Sequence, residues 1–121
     1  MLEGVAFGLR DSLELLRELG AAPRLGRVSG GGARSELWLQ IAATMLGIPL
    51  ERTAAEEGSA FGAALLGGIS AGVWATADEA VAACVRPTTV VEPVAAWASA
   101  YDEAYARYRL LYPALAGVRG L

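Results

Sequence analysis

Leu25-Gly26-Arg27-Val28-Ser29-Gly30-Gly31-Gly32-Ala33-Arg34-Ser35-Glu36-Leu37-Trp38 is the stretch on which the reading of this chain turns. Its first five residues suit a short strand, and three glycines follow directly. Ser35 is then a suitable N-cap for a helix that presents Leu37, Trp38, Ile41, Ala42 and Met45 until Gly47 ends it. Glycine lacks a Cβ, so the main chain at residues 30–32 can approach a flat base or a phosphate and adopt turns that other residues resist. The helix behind it points unpaired N–H groups and a partial positive charge at the same spot. On the glycines alone, two readings stand side by side: a tight structural turn and a ligand-binding corner.

Upstream, residues 2 to 19 read as an amphipathic helix. Leu2, Val5, Ala6, Leu9, Leu13 and Leu16 recur at three- and four-residue spacings, with Glu3, Arg10, Glu14, Arg17 and Glu18 on the other side. Gly20 sits where a left-handed C-terminal cap is wanted. Gly4 and Gly8 suggest that another backbone passes close to the first two turns. Downstream, Ile48 to Thr53 reads as a second short strand, with Pro49 at a strand-start or edge position. Ser59 could cap a third helix from Ala60 to Ala71, and Glu56 and Glu57 would complement its N-terminal dipole. Thr76-Ala77-Asp78-Glu79 fits a capping box for a short helix through Ala83. Arg86 to Glu92 is extended. Pro93 suits the start of a last helix carrying Trp97, Tyr101, Ala104, Tyr108 and Leu111 on one face until Pro113. Trp38, Trp74 and Trp97 are core candidates.

Strands alternating with crossover helices predict a parallel pair in an α/β sheet. Two strands are marginal alone, so further strands should precede residue 1 or come from a partner. The expected result is a single domain over 1–121, with an apolar face left uncovered and a homodimer as its consequence.

Composition removes several functions. The chain has 121 residues, no His, and basic groups that are all arginine: ten Arg against thirteen Asp and Glu, for a net charge of -3. Without His or Lys it holds no Ser-His-Asp triad, no His metal ligand, no Schiff base and no Walker A lysine. A net negative charge with no basic run argues against nucleic acid or an anionic membrane as partner. Ala60 to Ala77 runs uncharged for long enough to span a bilayer, but its glycines and alanines make it only weakly hydrophobic, so a closely packed helix is expected instead. Lone Cys84 cannot form an internal disulfide and the first residues lack a signal peptide, which fits a cytoplasmic protein.

One rival reading rests on the same glycines. Gly30, Gly32 and Ser35 nearly match the dinucleotide fingerprint G-x-G-x-x-G, and Glu51 at the end of the next strand could bind a ribose hydroxyl. Against it, Ser35 replaces the third glycine and a long helix precedes the supposed first strand. A small α/β interaction domain without catalysis is the third possibility.

Three segments in order carry a more specific signal. Leu2-Glu3-Gly4-Val5-Ala6-Phe7, Val28 to Trp38, and Glu56-Glu57-Gly58-Ser59-Ala60-Phe61-Gly62-Ala63-Ala64 together resemble the C-terminal domain of the FGGY carbohydrate kinases, most of all the xylulokinases. The closing Trp97…Tyr101…Tyr108…Tyr112-Pro113 segment resembles that family's final helix. The resemblance implies a partial actin-like, ribonuclease-H-like α/β domain with a short, mainly parallel sheet and a helical C-terminal tail. It implies ATP as substrate, with Mg²⁺, and a γ-phosphoryl transfer to a hydroxyl of a pentulose such as xylulose. Gly31, Gly32 and Ala33 would then lie against adenine and ribose through their backbone, Gly30 would shape the turn, and Ser35 or Glu36 would stand in for a polar base contact. The Gly62-Ala63-Ala64 helix would pack behind the pocket. The family's catalytic Asp and most sugar contacts lie in its N-terminal part, so this chain would be inactive alone and would work with that domain. Arg34, beside the turn, could reach a phosphate and is read first as a solvated side chain.

Overall fold

The computed structural model describes residues 1–54 and 58–118; Glu56 and Glu57, read above as dipole partners of the third helix, lie outside the described residues. The elements run α1 (Leu2–Glu18), β1 (Gly26–Val28), α2 (Glu36–Leu46), β2 (Leu50–Thr53), α3 (Gly58–Ser70), α4 (Ala77–Cys84), β3 (Pro87–Val91) and α5 (Ala98–Ala116). Short 3₁₀ turns at Gly31–Arg34 and Ala95–Trp97 precede α2 and α5.

The helix ends follow their local chemistry. At the end of α1, Gly20 takes φ 90°. There the Gly20 N–H donates to Arg17 O at 2.9 Å and the Ala21 N–H to Leu16 O at 3.0 Å, the paired bonds of a Schellman cap. Ser35 Oγ accepts from the Trp38 N–H at the start of α2, and Gly47, at φ 66°, closes it. Thr76 Oγ1 accepts from the Glu79 N–H, and Glu79 Oε2 accepts in return from the Ala75 N–H, one residue further back than in the usual box. Pro113 does not end α5. The helix runs one turn further to Ala116, with the loss of the one ladder bond that the missing proline N–H would have made.

The sheet has the order β1-β2-β3. β1 and β2 are parallel, joined by α2, with Gly26 opposite Leu50, Arg27 opposite Glu51 and Val28 opposite Arg52. β3, read from the sequence only as an extended run, pairs antiparallel with β2, setting Val91 opposite Leu50 and Val90 opposite Glu51, with a register irregularity between Glu51 and Thr53. Two helices, rather than one, lie between β2 and β3, and the chain comes back along the sheet in the opposite sense. The sheet is therefore mixed.

α2 lies on the face that carries Leu50 and Val91, where Leu39, Ala42 and Ala43 bury against them and Val28 and Leu46 pack from the side. Its other side, Ile41 and Met45, meets Ala6 of α1, with Phe7, Trp38, Trp97 and Tyr101 around them. Leu39 and Met45 are the largest side chains removed from water, each contributing about 1.5–3 kcal/mol. Trp38 touches both clusters and Trp97 one, as core residues should; Trp74 packs instead on Gly68 of α3, where any Cβ would strike its ring.

Three expectations need correction. A Cβ at Gly4 or Gly8 would meet nothing within 4 Å, so no backbone among the described residues passes close to them. On α1, Ala6 and Leu13 are buried while Leu2, Val5, Leu9 and Leu16 stay exposed; α5 packs on the side bearing Arg10, read above as solvent-facing. The Arg10 guanidinium lies 4.3 Å from the Tyr105 ring centroid and donates to Asp102 at 2.7 Å. Finally, Ala63 and Ala64 are exposed and Gly62 has open space beside it, so the close approaches of α3 are at its ends, Gly58 on Ser29 and Gly68 on Trp74.

Candidate functional site

β1 delivers the chain to the glycine corner, where Gly30 takes φ 85° and ψ -176°, a conformation that glycine alone holds without strain. Gly31–Arg34 then form one tight turn, with the Ala33 N–H donating to Gly30 O at 3.0 Å and the Ser35 N–H to Gly32 O at 3.2 Å. Gly31 and Gly32 are exposed. A Cβ at Gly31 would meet nothing within 4 Å, and one at Gly32 would come to 3.4 Å from Trp38 Nε1. The corner thus sits on the surface with its bare main chain facing outward and the indole of Trp38 beside it.

Beside the corner lies a cleft of about 160 Å³ lined by Ser29, Gly30, Ala33, Arg34, Arg52, Thr53 and Thr88. Of the residues singled out in the sequence, Gly30 and Ala33 line it, and Arg34, read as solvated, stands at its wall. Gly31 and Gly32 lie on the adjoining turn. Ser35 Oγ is taken up by the Trp38 N–H at 3.2 Å. The Glu36 carboxylate accepts from Arg52 Nη2 across the corner. A larger groove of about 610 Å³ between α1 and α5 is lined by residues such as Leu15, Tyr108 and Tyr112 and shares no residue with this cleft.

The sequence reading missed Arg52, Thr53 and Thr88. Arg52 was legible in principle: it lies two residues beyond Leu50, so strand alternation puts it on the same sheet face, beneath the first turn of α2. Thr88 gave no signal, because its place depends on the antiparallel return of β3.

Electrostatics around the sheet are settled by pairs. Glu51, buried in the middle strand, accepts from its cross-strand partner Arg27 through Nε at 2.9 Å and Nη2 at 2.8 Å. The acidic group on which the dinucleotide reading leaned is therefore already engaged. Between α5 and α1, burial first and then the hydrogen bond to Asp11 push the Tyr105 hydroxyl up to about 12, with Tyr105 Oη donating to Asp11 Oδ1 at 2.6 Å. Among the described residues no group of three or more Cys, Asp and Glu is placed to hold a metal ion, and no helix is long and apolar enough to cross a membrane.

Residues 1–71 match the family described as the FGGY family of carbohydrate kinases, C-terminal domain. The chain is 31% identical over 112 residues to the xylulose kinase of Staphylococcus epidermidis, which covers 93% of this chain and 23% of that protein. It is 34% identical over 115 residues to the L-xylulose/3-keto-L-gulonate kinase of Escherichia coli, covering 95% of this chain and 23% of that one. Among solved structures, a xylulose kinase from Rhodospirillum rubrum superposes with TM-score 0.77 at 34% identity, covering 97% of this chain and 24% of that one. A ligand-bound xylulose kinase from Lactobacillus acidophilus, 22% identical, superposes with TM-score 0.86 over 98% of this chain and 24% of its own, which shows a shared fold. The chain spans about a quarter of the length of these relatives.

Proposed function

Because this chain belongs to the FGGY family of carbohydrate kinases as a xylulokinase-like C-terminal domain, we propose that it forms the adenosine-holding wall of an ATP-dependent sugar kinase. The supporting observation is the surface corner itself: strand, three glycines and capped helix, with Gly30 in the left-handed region and exposed main chain at Gly31 and Gly32. Gly30 shapes the turn, the backbone of Gly31, Gly32 and Ala33 lies against adenine and ribose, and Ser35 and Glu36 border that surface. The α2 N-terminus adds a favourable potential for the nucleotide's charge.

Phosphoryl transfer is mostly a matter of positioning, Mg²⁺ and a placed base. ATP brings the group to be transferred. The metal-ligating and proton-accepting groups belong to the rest of the kinase. The acceptor is a ketose of the xylulose type, the substrate class in the names of several relatives. The working protein is cytoplasmic, and its N-terminal domain or a second copy covers the exposed Leu2, Val5, Leu9 and Leu16 of α1.

Gly31→Leu in the full-length protein tests the reading. Since a side chain at 31 has open space and no positive φ to strain it, the fold should stand while the nucleotide face is blocked. Calorimetric titration should then show ATP affinity lower by about tenfold or more, a loss near 1.4 kcal/mol. Unchanged ATP affinity in a folded variant refutes the proposal.

A further inference from the structure

Arg52 links the two ends of the glycine corner, β1 through its backbone pairing and α2 through its side chain. It stands opposite Val28, the last residue of β1 before the corner begins. Its parity with Leu50 turns it toward α2, and its Nη2 reaches the carboxylate of Glu36 in the first turn of that helix at 2.5 Å. Nη1 donates to Thr89 Oγ1 on β3 at 3.4 Å, and the Arg52 carbonyl accepts from Thr88 Oγ1 at 3.4 Å. Nε is buried and has no hydrogen-bond partner among the described residues. The guanidinium is therefore held between α2 and β3 through its two Nη atoms. Arg52 also lines the cleft, so the brace runs along the wall of the corner and not behind it.

We propose that Arg52 and Glu36 form a positioning pair for the nucleotide: the pair fixes the angle between β1 and the first turn of α2, and with it the presentation of the main chain at Gly30–Ala33. The inference rests on the nucleotide reading of the corner and deepens it. It gives Glu36 a role through Arg52 in place of a contact to the base. An arginine suits the task because its planar fork spans two acceptors on different elements, which an ammonium on a flexible stem does not.

The test is carried out on the full-length kinase with Glu36→Gln, Arg52→Gln, Arg52→Lys and the Glu36→Gln/Arg52→Gln double variant, reading ATP binding by calorimetry and both substrates by steady-state kinetics. Either single loss is expected to raise Kd and KM for ATP about fivefold, the upper end for a partly exposed pair. The effect should fall on KM for ATP and leave KM for the sugar in place, which a general loss of stability would not do. The double variant should be no weaker than the weaker single, the signature of one shared interaction. Arg52→Lys should recover part of the loss by keeping the charge beside Glu36. ATP affinity unchanged in Glu36→Gln, or losses that simply add in the double, overturns the pairing. Should Arg52→Gln fail to fold, Glu36→Gln and Arg52→Lys decide the matter, since Glu36 is mostly exposed. A wild-type protein that binds no ATP overturns both this inference and the function it rests on, whereas a binding wild type with indifferent variants overturns the inference alone.

Discussion

Replacing Ser35 separates two roles that this residue could have at the corner. In the structure its hydroxyl accepts from the Trp38 N–H at 3.2 Å, satisfying one of the orphan donors at the start of α2. Trp38 in turn stands beside Gly32 and joins both core clusters, so the cap fixes the first turn that carries the corner's neighbour. Loss of such a cap to alanine costs about 1 kcal/mol, to glycine only a few tenths, and to aspartate nothing. With a urea slope of about 2 kcal/mol/M, Ser35→Ala should lower the unfolding midpoint by about 0.5 M. Ser35→Asp should hold it near wild type, helped by the charge at the helix N-terminus. Amide exchange at Trp38 should quicken in Ser35→Ala and stay slow in Ser35→Asp. If alanine and aspartate behave alike in both measurements, the hydroxyl is not working as a cap. If stability is indifferent while ATP binding collapses, Ser35 acts on the nucleotide directly and the reasoning fails.

Other consequences can be checked at separate points of the fold. The raised pKa of Tyr105 predicts stability fully present below pH 10 and lost as pH rises toward 12, because the folded state holds its proton where the unfolded chain releases it. Tyr105→Phe should flatten that alkaline decline in urea midpoints between pH 9 and 12, and parallel curves would refute the assignment. Buried Thr44 takes the Val94 N–H at 2.8 Å while donating to Gln40 O at 2.6 Å. Thr44→Val should therefore cost about 1–3 kcal/mol by calorimetry, and Thr44→Ser much less, since only valine leaves the Val94 donor unpaired. Gly58→Ala would press a Cβ onto Ser29 Oγ and Cβ at the mouth of the corner, costing about 1–2 kcal/mol, and Ser29→Gly should relieve most of it in a double-mutant cycle. The purified 121-residue chain should phosphorylate no sugar; turnover in a coupled assay would show that the base lies within it.

How much could be read in advance follows the range of each interaction. The helices, their caps at Gly20, Ser35, Gly47 and Thr76, and the corner at Gly30 depend on residues within four positions of each other, and each was legible. The exposed side of α1 was not. Leu2, Val5 and Leu9 mark an apolar face by spacing, but which part of it is covered depends on where α5 crosses, and α5 chose the side of Arg10 and Asp11. Tyr105, buried there, was passed over in favour of Leu111, which is exposed. Leu111 fits the helical spacing as well as Tyr105 does, and only the crossing point tells them apart.

What the amino-acid order determined by itself is the strand, the triple-glycine turn and the capped helix behind it, because backbone sterics and hydrogen-bond satisfaction act over a few residues and admit few alternatives. Only the tertiary structure decided what surrounds that turn. Glu36 went to Arg52, Glu51 to Arg27, and Thr88 came to the cleft on an antiparallel strand, through pairings 16, 24 and 36 residues apart in the chain. Such pairings follow from how whole elements pack against one another, and that is decided by the burial of Leu39, Ala43, Leu50 and Val91 rather than by the polar residues that end up meeting.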